Sequence, residues 1–347
     1  MARSPALQKQ NSTIELWIRR TLAADPPRAK SLVVTLFGDA IAPQGGSVRL
    51  KNLIELLAPF EVNERLVRTS VFRLVQEDWL EAIRNGRESS YRLTRTGFRR
   101  LEHAYEKVYQ RPSATWDGAW TFILIPNDRI TASRRLKLKQ ELEWEGVRQL
   151  TPHLFAHPTI GTEALNEIFD RSGVRGRAIS FTGARTDQAG RCGIRELVNG
   201  SWSLRQVAGA YKGFLRNFGR LKPMLGHDRA LSGWEWLAIR VLLIHSFRRI
   251  VLHDPLLPSA LLPDPWIGDN AYHLAGEIYK VCLTGSERYL GERFGATTDQ
   301  AVRILERRFS TEGIAATDVV PHPRDYVGQE GTQGSQKFRR QRQINRE

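Results

Sequence analysis

Between residues 63 and 76 the sequence sets Arg65, Arg68, Thr69, Phe72 and Gln76 at intervals of three and four, with Arg73 one step aside. On a helix that spacing gathers side chains onto one face. Leu66, Val67, Ser70, Val71, Leu74 and Val75 then fall on the opposite face, which is expected to be buried. Guanidinium groups so displayed can donate bidentate hydrogen bonds to a guanine edge, and threonine or apolar groups can meet a thymine methyl. A merely solvated helix face can have the same composition. Phe72 is the awkward residue of that face, since an outward phenylalanine is costly unless it touches the hairpin that follows or a base.

Such a face is useful only if other elements hold it. Asn63 is a good N-cap, and Val62 and Val67 stand where a hydrophobic staple closes over a helix start. Two apolar segments precede it, residues 31–37 and 53–57, the second ended by Pro59. Directly after it come residues 80–84, Asn85-Gly86, and residues 87–93. Asn-Gly between two strand-like runs is a strong hairpin signal, because a type I′ turn needs positive φ at both central positions. The expected turn is flanked by Arg84 and Arg87, cations suited to phosphates or a minor groove, with Tyr91 on the returning strand. Two helices, a basic third helix and a basic hairpin make a winged helix-turn-helix, and Asn63, Arg65, Arg68, Thr69, Arg73, Arg84, Arg87 and Tyr91 are its candidate DNA-contacting residues.

The whole chain favours a polyanionic partner. It has 347 residues, a formal charge of +15 at pH 7 and a pI near 10.2; nucleic acid, a phosphorylated ligand and an anionic membrane all answer to that excess. Cys192 and Cys282 are too few for a disulfide framework and read as reduced thiols. Polar residues 8–11 interrupt any signal-peptide core, and the longest apolar run, residues 241–244, is far too short to span a bilayer, so a soluble cytoplasmic protein is expected.

The remaining chain divides by pattern. Residues 14–24 read as an amphipathic helix that either caps the next domain or pairs with a second subunit. Beyond Pro112 the order is strand, helix, strand, strand, helix, strand, with strands at residues 120–125, on either side of Thr151-Pro152, and at 178–182. That is the split-βαβ, ferredoxin-like order. Residues 193–320 carry 3.6-residue periodicity, clearest over 234–252. The expected fold class is α+β, with a winged helix-turn-helix domain and N-terminal helix over 1–111, a ferredoxin-like domain over 112–190 and a helical effector domain over 191–323. The Gly-, Gln- and Arg-rich residues 324–347 read as a disordered basic tail.

A second cationic group lies at the end of the 234–252 helix. His245, Arg249 and His253 are four apart, beside Arg248 and Asp254. Arginine binds phosphate bidentately, so the group is a candidate anion site, but the residues by themselves favour a structural network tying the helix end to the following proline loop. Arg134, Arg135, Lys137 and Lys139 make a basic run that is either a solvated face or a wall of the same site. His245, His253, His273 and Cys282 match no metal-ligand spacing, and no cofactor motif is present. Asp128 stands where a nuclease of ferredoxin-like fold could place a metal-binding carboxylate. A metal-dependent nuclease, or a nucleic-acid-binding module without sequence preference, is therefore the alternative to a sequence-reading regulator.

Leu36-Phe37-Gly38-Asp39, residues 65–74 and residues 86–93 resemble the signature of the PaaX family of repressors of phenylacetate-catabolism operons. Trp116-Asp117-Gly118, Gly146-Val147 before Leu150, residues 245–258 and Leu261-Leu262-Pro263 extend the resemblance over roughly residues 31–280. The family pattern usually has alanine where Ser70 stands and commonly phenylalanine where Val147 stands, which leaves room for a paralogue with another operator or effector. The resemblance implies a non-enzymatic repressor, homodimeric on operator DNA, released by an aryl-acyl coenzyme A such as phenylacetyl-CoA. His245, Arg248, Arg249 and Arg134 are then the candidate effector-binding residues. The basic tail lies outside the resemblance and has too few apolar residues to join a core. Deleting residues 324–347 is expected to leave the melting temperature and the DNA sequence preference unchanged, and a large drop in melting temperature would reveal a structured element there.

Overall fold

Pro26 and Pro27 follow the first helix, α1 (Pro5–Ala24), whose Ile14, Trp17, Ile18 and Leu22 are buried. The computed structural model describes residues 5–85, 88–110, 116–126, 130–183, 198–226, 231–294 and 299–309. By internal contacts the chain divides into two units, one of residues 1–111, 217–246 and 274–347, the other of 112–216 and 247–273. The helical region expected over 191–323 thus contributes to both. The tail, Asp128 and Cys192 lie outside the described residues.

In the first unit α1 is a cap on its own chain: Trp17 packs edge-on to Phe218, ring centroids 5.4 Å apart, and donates Nε1–H to the Asn217 carbonyl at 3.4 Å. Then come α2 (Ala29–Leu36), a π-helical turn (Phe37–Ile41), β1 (Ser47–Arg49), α3 (Leu50–Leu57), α4 (Glu64–Gln76), β2 (Leu80–Asn85), β3 (Glu88–Leu93) and α5 (Arg95–Tyr109). α4 packs on α2 and α3 through Val67, Val71 and Leu74 against Leu32, Val33, Leu36, Leu53 and Leu57, all buried. The sheet is antiparallel with order β1-β3-β2. Thr94 caps α5 by accepting from Gly97 N–H at 2.9 Å. Only glycine fits at 97, because an added Cβ would stand 2.1 Å from the Trp79 carbonyl oxygen.

Three findings differ from the sequence reading. β1 pairs with β3 at Val48 and Tyr91, a strand that three residues of polar–apolar–polar pattern do not announce. The hairpin register sets Leu80 opposite Leu93 and Asn85 opposite Glu88, so residues 86 and 87, not 85 and 86, lie between the last paired residues. Leu80 and Leu93 are both buried, and this apolar pair fixes the register against the turn preference. Leu66, expected inside, is 48% exposed, because it lies one step beyond the stripe that meets α2 and α3.

The second unit begins with β4 (Trp120–Leu124), α6 (Ala132–Trp144), β5 (Arg148–Thr151), β6 (Leu154–His157), α7 (Thr162–Ser172) and β7 (Ile179–Gly183). Its sheet is wholly antiparallel, order β5-β6-β4-β7. α6 and α7 lie side by side on one face over Ile123, Ile125, Leu138, Leu142, Val147, Phe155, Leu165 and Ile168. Three long helices, α8 (Leu204–Gly226), α9 (Gly233–Val251) and α10 (Ile267–Phe294), have residues in both units, and α11 (Asp299–Glu306) belongs to the first. In the second unit Trp202 donates to the Gly146 carbonyl at 2.9 Å and Tyr211 to Asp254 at 2.7 Å.

The first unit also holds a buried ionic network centred on Asp39, in the π-helical turn. Arg240 donates Nε–H to Asp39 Oδ2 at 2.7 Å and an Nη2–H to the Asp39 carbonyl at 2.8 Å. Arg308 donates to Oδ1 at 2.7 Å and to the same carbonyl at 2.8 Å, and the Tyr109 and Tyr279 hydroxyls donate to Oδ1 at 2.7 and 3.2 Å. Arg240 also reaches Ser286 and Glu287. Burial by itself would lower the pKa of both guanidinium groups; Asp39 and Tyr279 act on both, joined by Glu287 at Arg240 and Tyr109 at Arg308, and hold them above the ordinary arginine range. Burial likewise pushes the Tyr109 and Tyr279 hydroxyls above the usual tyrosine range, against the pull of the arginines.

Removing one partner of a buried pair strands the other charge, at about 3–5 kcal/mol, so Asp39→Asn is expected to lower unfolding stability by that order in urea titrations. Alkali acts in the same place. The unfolded tyrosines release protons near pH 10, about their ordinary value, while the folded ones hold theirs to higher pH. The stability they contribute is therefore complete below about pH 10 and lost as pH rises through the raised folded values. The urea midpoint is expected to fall as pH rises from about 10 to about 12, and an unchanged midpoint there would show that the hydroxyls are not held.

Candidate nucleic-acid interface

α4 begins as its sequence requires. Asn63 is the N-cap and its Oδ1 accepts from Leu66 N–H at 2.9 Å, while Val62 and Val67 are both buried at the helix start. Val67, Ser70, Val71 and Leu74 face inward and Val75 is half-buried. The opposite face presents Arg65, Arg68, Thr69, Phe72, Arg73 and Gln76, all exposed. Phe72 is 64% exposed and sits in the middle of this cationic stripe, one turn from Arg68 and Gln76 and two turns from Arg65.

The outer face is held lightly. Arg68 pairs with Glu64 one turn back, Nη2 to Oε1 at 2.6 Å, with both side chains more than half exposed. A surface pair of this kind is worth roughly 0–1 kcal/mol, so Arg68 can leave Glu64 for a stronger acceptor at little cost. Among the described residues no ion pair engages Arg65 or Arg73. Thr69 donates its hydroxyl back to the Arg65 carbonyl at 2.8 Å.

Tyr91 lies on the central strand β3, opposite both Val48 and Ala82, and is half-buried. Arg84 is on β2 opposite Ser89; its side chain, and the whole of Arg87, lie outside the described residues. Arg100 of α5 clasps the end of α4: it donates to the Glu77 carbonyl at 3.0 Å and stacks over Trp79, 5.2 Å from the ring centroid. Sequence reasoning had no signal for that clasp, which joins residues 23 apart through a backbone carbonyl.

The candidate anion-binding residues divide. His245 is buried in the first unit, its Nδ1 3.1 Å from Thr35 Oγ1. Arg248, half-buried, and Arg249, exposed, belong to the second unit, with exposed His253 placing Nδ1 2.9 Å from the Arg249 carbonyl oxygen. The expected shared face of His245, Arg249 and His253 is thus split by burial. Asp254 is buried, accepts from Tyr211, and takes Leu256 N–H at 2.9 Å, so it ties the helix end to the proline loop. Arg134 is exposed on α6. Its neighbours are partly engaged in structure: Arg135 reaches the Pro126 carbonyl at 3.3 Å and Lys137 the Arg171 carbonyl at 2.5 Å.

Among the described residues no group of His, Cys, Asp and Glu is arranged to hold a metal ion, and no helix is long and apolar enough to cross a membrane. Cys282 is a buried free thiol whose pKa burial pushes up.

Comparison with known proteins supplies the family. Residues 28–97 match the family described as PaaX-like protein, residues 113–192 the PaaX protein central Cas2-like domain, and residues 202–292 the PaaX-like protein C-terminal domain. The transcriptional repressor PaaX of Escherichia coli strain K12 is 32% identical over 283 residues, which span 81% of this chain and 89% of that protein. Among solved structures, the uncharacterized protein Rv0674 from Mycobacterium tuberculosis is similar at 22% identity with a TM-score of 0.43, over 68% of this chain and 90% of that one. With all three family segments in order, and a relative matched over nearly its whole length, this chain belongs to the PaaX family.

Proposed function

We propose that this chain is a cytoplasmic, homodimeric transcriptional repressor of a phenylacetate-type aromatic-acid operon, which reads operator DNA through α4 and releases it on binding an aryl-acyl-CoA. The observation that carries the reading is the division of α4, one stripe packed on α2 and α3 and the other a cationic row around Phe72. α3, α4 and the β1-β3-β2 sheet are the parts of a winged helix-turn-helix, and the antiparallel order β5-β6-β4-β7 is that of a ferredoxin-like domain. On this reading residues 1–111, 112–190 and 191–323 are the DNA-binding, middle and effector-binding portions. Two subunits reading two half-sites give the operator its two-fold symmetry.

Arg65, Arg68, Thr69 and Arg73 supply base or near-base contacts, Asn63 and Tyr91 adjoin the backbone, and Arg84 and Arg87 meet phosphates or the minor groove. Arg68→Ala and Arg73→Ala are each expected to weaken binding to the protein's own upstream DNA by about 1–3 kcal/mol, with an unchanged circular-dichroism spectrum. Gel-shift titration checks this, and wild-type affinity in both variants would remove α4 as the reader. Cutting of the fragment in the presence of a divalent metal would favour the nuclease alternative instead.

Effector and operator must oppose each other by the same factor, whichever binds first. Arg248 or Arg249 is assigned a phosphate of the coenzyme, with Arg134 and His245 as the remaining candidates. Calorimetric titration of phenylacetyl-CoA is expected to show tight binding to wild type, weak binding of free phenylacetate, and a loss of about tenfold or more in Arg248→Ala or Arg249→Ala. Equal affinity in all three proteins would place the site elsewhere.

A further inference from the structure

α8 carries Arg205, Lys212, Arg216, Arg220 and Lys222 and not one carboxylate. Within the second unit its inner face is built by Leu204, Val207, Tyr211 and Phe214, all buried, with Tyr211 held by Asp254. Its outer face between 205 and 216 presents Arg205, Lys212 and Arg216, all exposed. Seven and four residues separate them, so they fall in one row about 16 Å long. Among the described residues none of the three has an ion pair or a hydrogen bond to a side chain.

The glycines beside that row are a separate observation. Gly209 and Gly213 lie in the interior of α8, where glycine weakens a helix relative to alanine. A Cβ added at either position would meet nothing within 4 Å. Packing among the described residues therefore gives no reason for glycine at these positions. What a bare helix backbone offers is close approach to something outside the chain. Glycines four apart also suit a second helix, but a symmetric copy would bring Lys212 and Arg216 against their own counterparts. Like charges so placed repel, and a polyanion does not.

We propose that this face of α8 is a second DNA-contacting surface, taking the sugar–phosphate backbone without regard to base sequence. Arg205, Lys212 and Arg216 would each neutralise a phosphate, and the bare backbone at Gly209 and Gly213 lets the strand settle between them. The proposal rests on the repressor reading for its biological setting, but a backbone surface is read by any duplex.

The test uses the full chain, the triple variant R205Q/K212Q/R216Q and the double variant G209A/G213A. Each is titrated with the upstream fragment and with a random-sequence duplex, from 50 to 300 mM salt. Counterion release gives a slope of about 0.9 per phosphate contact, so the triple variant should lose about two to three from the slope of log affinity against log salt. That loss should appear on both duplexes and leave their affinity ratio unchanged. The double variant should melt higher, by about 1–3 °C, yet bind both duplexes several-fold more weakly. An unchanged salt slope in the triple variant overturns the proposal, as does a changed oligomeric mass in either variant, which would make the face a protein interface. An acyl-CoA affinity that falls while the DNA slope holds would overturn it in favour of a ligand phosphate. Failure of wild type to prefer the upstream fragment would count against the repressor reading alone, since the random duplex still reads α8.

Discussion

Asp39 is the constraint on which the first unit depends. A single carboxylate and its own carbonyl accept from two arginines and two tyrosines, at distances from 2.7 to 3.2 Å, in a place closed to water. Buried ionic groups add little net stability over well-packed apolar ones, because desolvation offsets the attraction. What they impose is direction. Arg240 comes from α9, Tyr279 from α10, Tyr109 from α5 and Arg308 from just beyond α11. All four must arrive together, or a charge is left stranded. The π-helical turn that holds Asp39 immediately follows α2, the helix on which α4 packs. The pose of the outward cationic row is thereby tied to side chains 201 and 269 residues beyond Asp39 in sequence.

The two cationic surfaces proposed to meet DNA differ in their chemistry. α4 presents few cations, held at most by one exposed ion pair, among groups such as Phe72 and Thr69 suited to discriminate by contact rather than charge. α8 presents cations around bare backbone, with nothing that distinguishes one base from another. On the proposed reading, the first arrangement would set which sequence is held and the second how strongly salt governs the holding. A chain of charge +15 has cations to spare for both.

Much of this was legible in the sequence, and the misses have physical causes. α4 was readable because its cap, its buried row and its exposed row are all local, and so was the strand–helix alternation of the second unit. Leu66 was misplaced because a helical wheel knows the angle of a side chain but not the width of the groove that receives it. The hairpin register was misjudged because Asn85-Gly86 states a local preference, whereas Leu80 and Leu93 state a tertiary one, and burial prevailed. Asp39 stood in a quoted motif, yet no spacing rule connects it to Arg240 or Arg308. Such a network exists only after the chain has closed on itself, 201 and 269 residues apart.

The scale of that network also limits how a repressor of this build can switch. Allosteric coupling between effector and operator typically amounts to about 1–3 kcal/mol. Opening a buried pair such as Asp39 with Arg240 or Arg308 costs about 3–5 kcal/mol before anything is gained in return. An effector acting through differential affinity cannot cheaply separate these groups, and a ligand shifts an equilibrium only by its preference between the two states. The network is therefore the stiff part of the device rather than the switch. It carries α4 as one body with the C-terminal helices of its unit. If DNA is released as proposed, the change must leave Asp39 and its partners intact and alter how the intact body meets its operator.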